Sequence, residues 1–287
     1  MPLRSIVVLF SLASLAHGTG KNKAPAPPPP PPTKTPTKSN VRYRSFQIDY
    51  GDFVYRSKSG PRVTMILNIT KDGRGMFEIG CGGSPFRDGW FKLREVDDDP
   101  QHEHLHPYKP GDSHHQRWLE RVRGACPHLN VFDEDLDSFY INENGNAETM
   151  LADENIVLKR QWLPFNPGRY SSNSSVSDFR LNYDVFPHGS VNVNLGCSAE
   201  DGHSEGYTGW VSFRLWRGRP GKPYRLIPTS HGDTVRKLFN SFAVACPLWE
   251  DSFEEDDFML VRFATPDMMY AFGMFEYDRL YRSPWPQ

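Results

Sequence analysis

The chain has 287 residues, a formal net charge of −2 and 13% aromatic side chains. Near-neutral charge without a clustered basic stretch argues against nucleic acid as a partner, because such binding draws on a concentrated cationic surface. No apolar run reaches the roughly 20 residues that a bilayer-spanning helix needs, so no membrane association is expected.

Residues 1–18 read as a secretory signal. Arg4 gives a positive start, residues 6–15 form a short apolar core, and Ala16-His17-Gly18 places small residues at a cleavage position. The expected location is therefore extracellular, where disulfides persist. Residues 19–40 form a proline-rich leader with no apolar pattern. It is expected to be an extended polyproline spacer.

A first α+β repeat is placed at 41–152. Strands are predicted over 43–55, 63–69, 76–81 and 90–96, with Val63, Met65, Leu67 and Ile69 on one face and a turn at Asp72-Gly73. A polar loop over 97–112 leads to a helix over 114–125, capped by Ser113 and striped by Trp118, Leu119 and Val122. A hairpin turning at Asn144-Gly145 closes the unit.

The second α+β repeat is placed at 153–287. Strands are predicted over 178–185, 191–197 and 210–216, and a helix over 234–245 carries Val235, Leu238, Phe239 and Phe242 on one face. A further hairpin turns at Thr265-Pro266-Asp267. Residues 218–232 read as a loop.

The two halves match in detail. Gly80-Cys81, Trp90 and Ala125-Cys126-Pro127 recur as Gly196-Cys197, Trp210 and Ala245-Cys246-Pro247, and 36 positions separate tryptophan from second cysteine in both. This predicts a tandem duplication of an antiparallel sheet unit with one packed helix, α+β in class. It also selects among the connectivities open to four cysteines: Cys81–Cys126 and Cys197–Cys246, one disulfide per unit.

Candidate sites are sparse. His102, His104 and His106 alternate, so an extended chain would set all three on one side, a possible holder for zinc or copper. Acidic runs at 97–99, 133–137 and 250–257 lack the spacing of a calcium loop. His188, His203, Glu205 and Arg214 offer residue types for acid–base work on phosphate or glycan, without a specific constellation. Asn68 and Asn173 head glycosylation sequons. Lys159-Arg160 is a dibasic pair near the junction of the halves.

An export signal, a low-complexity spacer, tandem cysteine-paired domains and no catalytic signature together resemble candidate effectors secreted by plant-associated fungi. The resemblance is to a general type and implies a host macromolecule as partner, a protein above all, met outside or inside the host cell. The expected function is a secreted, non-enzymatic interaction protein. The alternatives are a secreted hydrolase, ribonuclease-like or glycan-directed, and metal binding through the histidine loop.

Overall fold

The computed structural model describes residues 49–60, 62–95, 103–174, 177–197, 206–219, 222–229, 233–274 and 276–283. The expected signal and leader lie outside these residues, as does His102.

Strands β1 (Gly51–Arg56), β2 (Thr64–Ile69), β3 (Arg74–Gly80) and β4 (Phe86–Lys92) form an antiparallel meander. In β2, Met65, Leu67 and Ile69 are buried while the residues between them are half-buried. That period of two is what a strand with one core face requires. Beyond Leu93 the chain resumes as β5 (Arg94–Glu95), which pairs with β6 (Glu103–Leu105). Helix α1 (Ser113–Ala125) follows, then β7 (Ser138–Ile141), β8 (Ala147–Leu151) and β9 (Glu154–Arg160). The sheet order is β4-β3-β2-β1-β9-β8-β7-β6-β5. Its two ends, β4 and β5, are successive stretches of one chain on either side of Leu93, so the sheet curls into a barrel-like form.

The second sheet closes by hydrogen bonding. It comprises β10 (Gly168–Ser172), β11 (Asn182–Val185) and β12 (Ser190–Asn194), followed by the short pair β13 (Gly196–Cys197) and β14 (Gly206–Tyr207) outside the barrel. Then come β15 (Val211–Arg217), β16 (Tyr224–Pro228), helix α2 (Val235–Ala245), β17 (Leu260–Thr265), β18 (Met268–Gly273) and β19 (Glu276–Ser283). β19 pairs with β10, which completes the barrel.

The expected α+β class is thus overturned: the fold is β-rich, with two barrel-like sheets and only two α-helices among the described residues. The physical reason lies in the strands that local pattern did not reveal. β6 and β16 fall in polar stretches that local pattern marks as loops, and β10 and β19 carry no clear local strand pattern. With these added, the strands have enough partners to wrap around, and each helix becomes an accessory to a barrel instead of one layer of two. The first sheet also runs through Arg160, past the division placed after residue 152, because β9 pairs with both β8 and β1.

The order of elements still repeats. Counting β4 and β5 as one bent strand, each barrel has three strands, a cysteine, two strands, a helix, a second cysteine and three strands. Cys81 bonds to Cys126 and Cys197 to Cys246, with Cα separations of 5.2 and 5.8 Å. Each bond fixes the C-terminal end of a helix to the chain following the third strand of its barrel.

α1 begins one residue earlier than its expected cap allows. Asp112, not Ser113, is the N-cap, accepting from the His114 amide at 2.7 Å. Thr234 caps α2 by accepting from the Lys237 amide at 3.0 Å. Trp118, Leu119 and Val122 of α1, and Leu238 and Phe242 of α2, are buried. Each barrel has its own apolar core. Large side chains fill the second: Tyr170, Tyr183, Phe213, Phe263 and Met269 are fully buried. An eight-stranded barrel is just wide enough for such filling.

Candidate functional site

Of the three alternating histidines, His104 and His106 lie among the described residues. His104 lies in β6 and is buried. Burial lowers its pKa, and the negative charge of Asp49 only partly offsets this. His106 turns into a different pocket, with ring centroids of Trp118 at 4.5 Å, Phe91 and Tyr108 at 5.0 Å and His115 at 5.5 Å. Its Nδ1 accepts from the Tyr108 amide at 3.3 Å. Burial first, and then the nearby His115 and Arg94, push the His106 imidazole down to about 3. It is therefore neutral at physiological pH. Among the described residues, no three His, Cys, Asp or Glu side chains gather as metal ligands.

A buried ionic group that the sequence did not reveal lies where the two barrels meet. Arg160, at the end of β9, has a side chain with no exposure. Its Nε donates to the Gly145 carbonyl at 2.6 Å, Nη1 to the Tyr50 carbonyl at 2.7 Å, and Nη2 to Asp49 Oδ1 at 2.5 Å and the Tyr270 hydroxyl at 3.1 Å. Its guanidinium also lies over the Phe53 ring, 4.4 Å from the centroid. Tyr270 in turn donates to Asp49, and Arg279 Nε donates to the other carboxylate oxygen at 3.0 Å. Burial alone would raise the Asp49 carboxyl. The charges of Arg160 and Arg279 outweigh it and hold that carboxyl well below its ordinary range. Burial raises the Tyr270 hydroxyl far above its usual value. The Asp49 carboxyl, held low, and the Tyr270 hydroxyl, held high, keep their protonation near neutrality, so the cluster suits joining β1, β9, β18 and β19 and not proton transfer. It also accounts for the Lys159-Arg160 pair, whose arginine is enclosed.

The residue types considered for hydrolysis are not brought together among the described residues. His188 Nε2 lies 2.5 Å from Ser190 Oγ in a surface turn. Arg214 is exposed on β15, and His203 and Glu205 lie outside the described residues. Of the sequon asparagines, Asn68 is half-buried in β2 and its amide donates to the Asp52 carboxylate. Asn173 is half-buried just after β10.

The repeated tryptophans face solvent. Trp90 is 53% exposed and Trp210 is 51% exposed. In both cases a glycine with positive φ precedes the indole: Gly89 at 144° and Gly209 at 73°. At Trp90 the cause is a bulge. Met76 pairs with Gly89 and Gly75 with Phe91, leaving Trp90 without a cross-strand partner. A bulge of this kind breaks the in–out alternation and re-aims a side chain. Gly89 also approaches β3 so closely that a Cβ there would lie 2.7 Å from the Met76 Cα. Trp210 stands just ahead of β15, where Trp216 is a further exposed indole at 55%. The signal available in sequence was the recurring Gly-Trp pair at a fixed distance from the second cysteine.

Two surface depressions accompany these features. β1 and β9 pair only at Phe53–Arg160 and Val54–Lys159 and then diverge, leaving a cleft of about 500 Å³ rimmed by Arg56, Lys58 and Lys159. A groove of about 670 Å³ runs between Tyr207 and α2. No protein-family model, curated protein sequence or solved structure matches the chain.

Proposed function

We propose that this protein is exported and acts without catalysis, engaging an extracellular macromolecule through the outer surfaces of its barrels. The observation that carries this reading is the matched Gly-Trp pair, which turns an indole to solvent at the same place in both barrels. Exposed aromatic groups in a setting otherwise able to bury them are characteristic of contact surfaces. Two binding surfaces on one chain raise avidity through effective concentration, with no new chemistry. The short apolar segment at 6–15 and the two cystines support export. Buried side chains fill the barrel interiors, so the outer faces are the surfaces available to a large partner.

The test pairs a turnover assay with a binding assay on the oxidised protein. RNA and soluble polysaccharides are incubated with wild type, and products are followed by size. The reading requires no turnover above buffer. Turnover that a single substitution abolishes, at His188 for example, would replace it with the hydrolase reading.

A further inference from the structure

The outer face of β15 carries a row whose chemistry goes beyond general stickiness. Residues alternate across a strand, so Trp210, Ser212, Arg214 and Trp216 share the outward side. Six residues of antiparallel strand place the two indoles about 20 Å apart.

Both rings have structural support. Arg169 lies over the Trp210 ring at 5.8 Å, and its Nε and Nη2 each donate to the Asp184 carboxylate at 2.6 Å. That fork holds the guanidinium in plane behind the indole. Trp216 folds over Gly218, where an added Cβ would lie 2.8 Å from the ring. Between them, Ser212 donates to Asn192 at 2.8 Å on the neighbouring strand. Arg214 is exposed, and its side chain makes no hydrogen bond or ion pair among the described residues. Two neighbouring cations are paired: Arg169 with Asp184, and Arg225 with Asp256.

We infer that this row is a polysaccharide-binding site, with Trp210 and Trp216 as stacking platforms and Arg214 as the polar contact between them. This rests on the non-catalytic binding reading above and names the ligand class. An indole presents a flat apolar face with an electron-rich surface, which suits the C–H face of a pyranose ring. The hydroxyl and amide groups of Ser212 and Asn192, and the fork of Arg214, match the hydroxyls or carboxylates projecting from a ring's edge. Two platforms some 20 Å apart fit a chain of several sugar rings better than one small ligand. A single-stranded nucleic acid would also stack, but it needs a continuous basic groove, and here only one cation of the row is unpaired. A membrane interface would want apolar neighbours, whereas serine, asparagine and arginine lie between the indoles.

The experiment is retention of the full-length oxidised protein on five polysaccharides: polygalacturonate, xylan, cellulose, chitin and β-1,3-glucan. Poly(dT) and anionic lipid vesicles serve as competing surfaces. Retention on at least one polysaccharide is expected. Trp210→Ala and Trp216→Ala should each weaken it about tenfold, and the double variant should lose it. Gly218→Ala should weaken it as well, by displacing the Trp216 ring. If the ligand is uronate-bearing, Arg214→Gln removes binding and added salt weakens it; for a neutral glycan, salt has little effect. The indoles are exposed, so these variants keep the wild-type melting temperature. Equal retention by the Trp210/Trp216 double variant, no retention on all five glycans, or preference for poly(dT) or vesicles would overturn the site. If the turnover assay is also negative, only the ligand class fails and the non-catalytic reading stands.

Discussion

Asp49 holds together the chemistry between the two barrels, and Asp49→Asn removes its charge with almost no change in volume. The carboxylate accepts from Arg160 Nη2 at 2.5 Å and Arg279 Nε at 3.0 Å, as well as from Tyr270. The substitution leaves the Arg160 guanidinium buried without a counter-charge. It also sets an amide NH₂ against groups that are themselves donors. Breaking a buried pair from one side costs about 3–5 kcal/mol. For a chain of this size each kcal/mol moves the midpoint by roughly 2–4 °C, so a fall of about 10 °C is expected. A thermal melt at pH 7 measures that fall, and urea denaturation, followed by far-ultraviolet circular dichroism and by tryptophan fluorescence, measures the free energy. Trp162 is a local reporter, since its ring lies 5.5 Å from both Tyr270 and the Arg160 guanidinium. The pH dependence supplies a second readout. The carboxyl of the folded protein lies below its ordinary value of 3.8, so its contribution is complete above that value and declines as pH falls towards the lowered one. The gap between wild type and variant therefore narrows in strong acid. Replacing the group as a whole, with Asp49→Leu, Arg160→Met and Arg279→Met, should regain most of the loss, because no charge is then stranded. A deficit under about 1 kcal/mol for Asp49→Asn would refute the reasoning, since that is the range of solvent-screened pairs.

Further expectations concern the first barrel and the disulfides. His106 is neutral in the fold and protonates near 6.5 when unfolded, so stability falls as pH drops below 6.5 towards 3. The loss from this group alone is about 2 kcal/mol by pH 5; His106→Phe should flatten the acid limb of a urea-midpoint profile, and an unchanged slope would contradict it. The cause is desolvation together with His115 and Arg94; burial lowers His115 itself, against the opposing pull of Asp137 and Asp133. The Cys197→Ser/Cys246→Ser double variant should lose about 4 kcal/mol, as expected for a loop of this length, measured by equilibrium unfolding. Asp112→Ala should cost about 1 kcal/mol through loss of the helix cap, whereas Ser113→Ala should cost little; the reverse order in thermal melts would restore the serine as the cap.

How much of this was legible in the sequence depended on whether the cause was local. Val191 and Val193 alternate with polar neighbours and identify their strand, and the β-rich run around Met65 and Leu67 identifies another. Val235, Leu238 and Phe242 mark an amphipathic helix, and the repeat itself selected the cysteine pairing. What escaped was non-local. β6 has three residues and β16 five, in stretches rich in charge and proline, and they become strands because neighbours across the sheet bond to them. The pairing of Arg169 with Ser283 that closes the second barrel has no local trace. Arg160 read as half of an exposed basic pair because its partners, Asp49 and Tyr270, are 111 and 110 residues away. The outward turn of Trp90 and Trp210 depends on a bulge at Gly75/Met76 and a positive φ at Gly209, neither of which composition shows.

The most direct test of binding through outward indoles is a nuclear magnetic resonance titration that follows the seven tryptophan indole N–H signals as oligosaccharides of the retained glycan are added. Saturable shifts are expected at Trp210 and Trp216, with the buried Trp118 unmoved. Shifts confined to Trp118, or none at any tryptophan while the protein stays bound, would contradict it.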